Sequence, residues 1–116
     1  TNPPTGREVP MFASIRTYRF SSGSMDELMH RVDRDFADAL GQEPGFVGYQ
    51  AIATGDRTVM SVSVFSTRDN AERSTEIAAQ WVAEELAEFG VERMGAMTGQ
   101  VMVGRAAAEI LEPAHH

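Results

Sequence analysis

The sequence predicts a single α+β domain with the element order strand–helix–strand–strand–helix–strand. Three observations carry this. Segments of period-2 alternation stand at Met11–Phe20, Phe46–Thr54 and Arg57–Ser66. Two longer stretches, Ser24–Leu40 and Thr67–Phe89, carry apolar residues at helical spacing. The chain has 116 residues, which suits one domain with one core.

Met11–Phe20 (MFASIRTYRF) reads as the first strand. Ala13, Ile15 and Thr17 point to one side; Phe12, Arg16, Tyr18 and Phe20 point to the other. Ser24-Met25-Asp26-Glu27 then forms a capping-box pattern, with acidic residues suited to a helix N-terminus. The helix it opens runs to about Leu40, where Gly41 can stop it and Pro44-Gly45 secures the break. Met25, Leu28, Met29, Val32, Phe36, Ala39 and Leu40 form its apolar stripe.

Strand two (FVGYQAIAT) and strand three (RTVMSVSVFS) are joined at Gly55-Asp56 as a hairpin. In strand three, Met60, Val62 and Val64 face one side; Val59, Ser61, Ser63 and Phe65 face the other. Thr67 caps a second helix expected to run to about Phe89, with Ala71, Ala78, Val82, Leu86 and Phe89 as its stripe. Gly90–Gly95 reads as an irregular link and Met97–Arg105 as the last strand. The domain is thus expected over residues 11–106, between an extended proline-rich arm at 1–10 and a tail at 107–116.

This order is that of a ferredoxin-like fold, with both helices on one face of an antiparallel sheet. The strands carry apolar residues on both faces, so a lone subunit would leave an apolar face wet. A homodimer packed sheet against sheet is therefore expected.

Composition excludes several functions. The net charge of −7 disfavours nucleic acid and anionic membrane surfaces as partners. All ten basic residues are arginine, which removes a lysine base or Schiff base. Cysteine is absent, and with it disulfides, thiolate metal sites and cysteine nucleophiles. His30 is the one histidine inside the domain and sits opposite the apolar stripe of its helix; His115 and His116 end the chain. No metal site or cofactor is expected from this set. No apolar run reaches bilayer length and no signal-peptide core is present, so a soluble cytoplasmic protein is expected.

Pro44-Gly45-Phe46, Gly48-Tyr49, the SVSVF run at Ser61–Phe65 and Trp81-Val82 late in helix two, taken with the element order, resemble the antibiotic-biosynthesis-monooxygenase-type domains of the dimeric αβ-barrel superfamily. The resemblance covers about Met11 to Arg105. It implies two sheets closing into a barrel across a dimer, and a ligand pocket between helices and sheet in each subunit. Members of the family include cofactor-independent oxygenases of polycyclic phenols and haem-degrading enzymes. The haem degraders use an asparagine in strand one plus a tryptophan and a histidine in the second helical region. Here strand one holds no asparagine and helix two no histidine, so haem degradation is not expected.

The resemblance directs attention to a set of candidate residues, each with a structural alternative. Glu85 falls within the stripe of helix two; buried, it would be a general base of raised pKa, and exposed it would be hydrated or arginine-paired. Tyr49 is a catalytic donor or a core aromatic with a polar handle. Trp81 is core or an aromatic pocket wall. Phe65 stands where the resemblance implies a pocket aromatic. Arg16 and Tyr18 share one face of strand one. Arg16 needs a partner there: an anionic or phenolic ligand, or a group across the dimer interface. The expected ligand is a small aromatic molecule. The competing functions are cofactor-independent oxygenation of it, binding without chemistry, and a structural or regulatory dimer.

Overall fold

A computed structural model describes residues 10–105. The arm before Pro10 and the tail from residue 106 onward lie outside the described residues, and His115 and His116 with them. The elements are β1 (Phe12–Arg19), α1 (Met25–Arg31), a π-helical stretch (Val32–Phe36) continuing into α2 (Ala37–Leu40), β2 (Phe46–Ala53), β3 (Thr58–Phe65), α3 (Arg68–Glu85), a 3₁₀ turn (Ala87–Phe89) and β4 (Glu92–Gln100). The sheet is antiparallel with strand order β2-β3-β1-β4. The predicted α+β class and ferredoxin-like order hold.

The local signals act as expected at the helix starts. Ser24 Oγ accepts from the Glu27 amide and Glu27 Oε1 accepts from the Ser24 amide, both at 3.1 Å. Thr67 Oγ1 accepts from the Asn70 amide at 3.1 Å. Between α1 and α2, the Ala37 amide donates back five residues to the Val32 carbonyl. This widened turn keeps Val32 and Phe36 buried in the core.

Two expected boundaries need correction. The last strand is Glu92–Gln100, not Met97–Arg105. Its position is set by pairing along the full length of β1, from Arg19 opposite Glu92 to Phe12 opposite Gln100, with a bulge after Thr17. The second helix ends at Glu85, not Phe89, because Leu86 leaves helical backbone (φ −117°, ψ 16°) to bury its side chain. The chain then closes a 3₁₀ turn, and Gly90 reverses it at φ 61°. The amides of Ser21 and Ser22 both donate to the Phe89 carbonyl at 3.0 Å, tying that turn to the end of β1.

The two faces of the sheet divide as the alternation predicts, with an inverted chemistry. The helix-covered face of the central strands carries Ser14, Arg16, Ser61 and Ser63, all buried. The opposite face carries a row of Val62, Ile15 and Met97 in register across β3, β1 and β4. Beside it run Ile52, Met60 and Thr17. Met97 is 67% exposed and Ile52 41%. Met60, Val62 and Val64 of β3 therefore lie on the uncovered face, while Val59 and Phe65 at its two ends are buried on the covered one.

Candidate functional site

Helices α1 and α3 stand over β1, β3 and β2 around a cavity of about 40 Å³. Leu28, Met29, Val32 and Phe36 form its wall on the first helical segment, and Ala78, Trp81, Val82 and Leu86 its wall on α3 and the residue that follows. The sheet contributes Tyr18, Arg16, Tyr49, Ala51, Val59 and Ser61. The aromatic side is continuous: the Phe36 ring centre lies 5.2 Å from Trp81 and 5.5 Å from Tyr49, edge-on to the latter. Beside it, a surface groove of about 820 Å³ runs between β2 and the first helical segment. Cavity and groove share Met29, Val32, Tyr49 and Ala51, which makes the edge of β2 the mouth of the site.

Size constrains the occupant. A void of about 40 Å³ holds a few waters and is well below the roughly 300–1,000 Å³ of a site for a drug-sized ligand. Room for a single ring would have to come from outward shifts of wall side chains such as the half-buried Met29 and Trp81. A polycyclic molecule needs a wider opening.

Arg16 dominates the electrostatics. It is fully buried. Its Nη1 donates to Ser14 Oγ at 2.7 Å and its Nη2 to Ser63 Oγ at 2.8 Å. Ser14 Oγ is in turn 2.5 Å from Thr75 Oγ1 on α3. Among the described residues, Arg16 Nε and Ser61 Oγ are buried without a hydrogen-bond partner. Among the described residues, no carboxylate pairs with Arg16. Tyr49 faces this charge. Burial pushes its hydroxyl up to about 12, a rise that Tyr18 reinforces and that the Arg16 charge and the neighbouring Ser61 hydroxyl oppose. The Tyr18 ring is backed by the Arg93 guanidinium, 6.0 Å from its centre.

The structure brings together Arg16, Tyr18, Tyr49 and Trp81 and leaves two candidates outside. Glu85 does not meet its condition of burial: its side chain is 49% exposed and lies 3.9 Å from Arg31. The expectation assumed an unbroken helix to Phe89, whereas α3 ends at Glu85 itself. Phe65 is fully buried at the far end of β3, packed edge-on against Phe46 at 5.8 Å, and does not line the cavity. His30 is exposed, as its place on the wheel indicates. The alternative of Arg16 pairing across a sheet-to-sheet interface also fails, since Arg16 projects from the helix-covered face. Ser61 lines the cavity as well, and Ser14 and Ser63 hold the Arg16 guanidinium. Their signal was alternation: each shares the face of Arg16 or of Val59 and Phe65.

Neither a family model nor a curated protein matches the sequence. Solved structures do. A dimeric ferredoxin-like protein from an uncultured marine organism superposes with a TM-score of 0.64 at 13% identity, covering 84% of this chain and 99% of that one. SnoaB, a cofactor-independent oxygenase from Streptomyces nogalater, gives 0.55 at 14% identity over 84% and 97%. A heme-degrading protein from Mycobacterium tuberculosis gives 0.55 at 18% identity over 85% and 99%. The chain has the fold of these proteins. It is the ferredoxin-like fold that the resemblance to antibiotic-biosynthesis-monooxygenase-type domains implies. At these identities the likeness is one of fold. Among the described residues, no helix is long and apolar enough to cross a membrane.

Proposed function

We propose that this chain is a homodimeric small-molecule-binding protein that takes a small aromatic ligand between its helices and its sheet. The observation that carries the reading is the composition of the cavity. Its walls are almost entirely apolar, and a few polar groups, Arg16, Tyr18, Tyr49 and Ser61, meet at the sheet. Such a site buries a carbon body and orients it by one polar end. Ligands reach it by the groove along β2. Trp81 is the sole tryptophan and lines the cavity, so its fluorescence reports occupancy directly. A panel of single-ring phenols, quinols and aromatic acids should quench or shift that emission and raise the melting temperature. No change with any of them would overturn the reading.

The dimer reading rests on the uncovered row of Ile15, Val62 and Met97. A second copy laid sheet to sheet would remove it from water.

Cofactor-independent oxygenation of a phenolic ligand is a second reading, favoured by the charge facing the cavity. Arg16 stabilises an aryl oxide, the species that reacts with oxygen, and Tyr49 donates a hydrogen bond to it. Overall, a phenol and O₂ would give a quinone and water. Among the described residues, no side chain of the cavity wall is a base at neutral pH: Glu85 is outside, and Tyr49 keeps its proton. The substrate proton would therefore leave to water in the groove, which restricts turnover to acidic phenols. Oxygen uptake with ligands that bind separates this reading from binding without chemistry.

A further inference from the structure

We infer that the ligand of this cavity is a monoanion, a carboxylate or aryl oxide on a small apolar body, and that it serves as the counter-ion of Arg16. This deepens the small-molecule reading above and rests on it. A buried guanidinium keeps its proton at any physiological pH. Its charge therefore has to be balanced or left uncompensated in a low-dielectric interior, which is strongly unfavourable. The groups around Arg16 do not balance it. Ser14 and Ser63 orient two of its nitrogens and bring no charge.

Arg16 and Ser61 both line the cavity and bring donors to it. Among the described residues, Arg16 Nε–H has no acceptor and the Ser61 hydroxyl has no partner. The Tyr49 hydroxyl stands close by in the same wall. Donors in excess around a fixed positive charge call for an oxygen with several lone pairs and a negative charge. The charge is single because, among the described residues, Arg16 is the one cation of the cavity wall. A second negative charge would be stranded against Leu28, Met29, Val32, Phe36 and Trp81, which surround the rest of the space. The chain's own charge of −7 further disfavours a dianion. The small volume limits the body to about one ring.

The test uses the intact wild-type protein and matched ligands, read by Trp81 fluorescence and by calorimetry. Benzoate should bind about tenfold or more tightly than the neutral, near-isosteric benzamide, and acetate much more weakly than benzoate. 4-Nitrophenol should bind more tightly above its ionisation pH than below it, which separates an aryl oxide from a carboxylate preference when set beside benzoate. Arg16→Gln should abolish the benzoate preference, bringing benzoate and benzamide to similar affinities. If that variant does not fold, the wild-type ligand pairs decide alone. Equal binding of benzoate and benzamide would overturn the monoanion and leave the pocket reading intact. Equal binding of acetate and benzoate would overturn the apolar body. Binding of neither aromatic would sink the pocket reading and this inference together.

Discussion

Arg16 Nη2 donates to Ser63 Oγ at 2.8 Å, a bond between the two central strands that holds a positive charge inside the domain. Both residues are fully buried. Ser63→Ala removes the acceptor and leaves a guanidinium N–H without a partner where water does not reach. The expected cost is roughly 1–3 kcal/mol. Urea unfolding should show a lower midpoint at unchanged slope. A midpoint equal to wild type would mean that water or another group takes over the bond, and the cavity would then be wetter than its walls suggest.

Gly45 is the residue that turns the chain from the first helical segment into β2. It sits at φ +76°, and a Cβ there would come within 2.7 Å of Ser66 Oγ and 2.8 Å of Asn70 Nδ2. Its carbonyl accepts from the Ser66 amide at 2.8 Å, which holds Ser66 close. Gly45→Ala should destabilise by roughly 1–3 kcal/mol. Gly41 ends α2 in ordinary helical backbone (φ −63°), and an added Cβ there meets nothing closer than 3.5 Å. Gly41→Ala should therefore be nearly neutral. Thermal melts of the two variants side by side check the contrast.

The element order was legible because each segment carries its own period. Ser24 and Glu27 at one helix start, and Thr67 at the other, are local signals that need no tertiary context. What stayed hidden was set by long-range pairing. Gly90–Gly95 read as an irregular link, yet β4 begins at Glu92 and runs through Gly95 because β1 offers it a full-length partner. Glu85 looked buried only on the assumption that its helix continued past Leu86. The alternation put Ser61 and Ser63 on one face of β3 and Arg16 on one face of β1. It did not say that these faces meet, or that the arginine lies there without a carboxylate. The inward face of Arg16 is a property of the assembled sheet, and the cavity follows from it.

The uncovered sheet face gives a direct test of assembly. Ile15 lies between Val62 and Met97, at the centre of the row that a second subunit would cover. Ile15→Asp places a charge there, where an interface would desolvate it without a partner. In a single subunit the position borders water and the substitution is tolerated. The variant should elute as a folded monomer with wild-type far-ultraviolet circular dichroism, at a concentration where the wild type is dimeric by light scattering. Identical masses for the two proteins would place any interface elsewhere.

Tyr49 makes stability depend on alkaline pH, in a direction fixed by its burial. Its hydroxyl is pushed up to about 12 in the fold, against roughly 10 in an unfolded chain. A tyrosine is neutral with its proton on, so the folded state holds the proton longer. Below about pH 10 both states carry it, and the contribution is fully present. As pH climbs from about 10 to 12, only the unfolded chain releases the proton, and stability falls by roughly 1–3 kcal/mol. Above that window both states are ionised and the dependence flattens. Melting temperatures across this range should drop more steeply for wild type than for Tyr49→Phe. The ultraviolet tyrosinate band should show a late step that the variant lacks. A wild-type profile superimposable on that of Tyr49→Phe would mean that the hydroxyl already reaches water, through the groove along β2, and that this mouth stands open without a ligand.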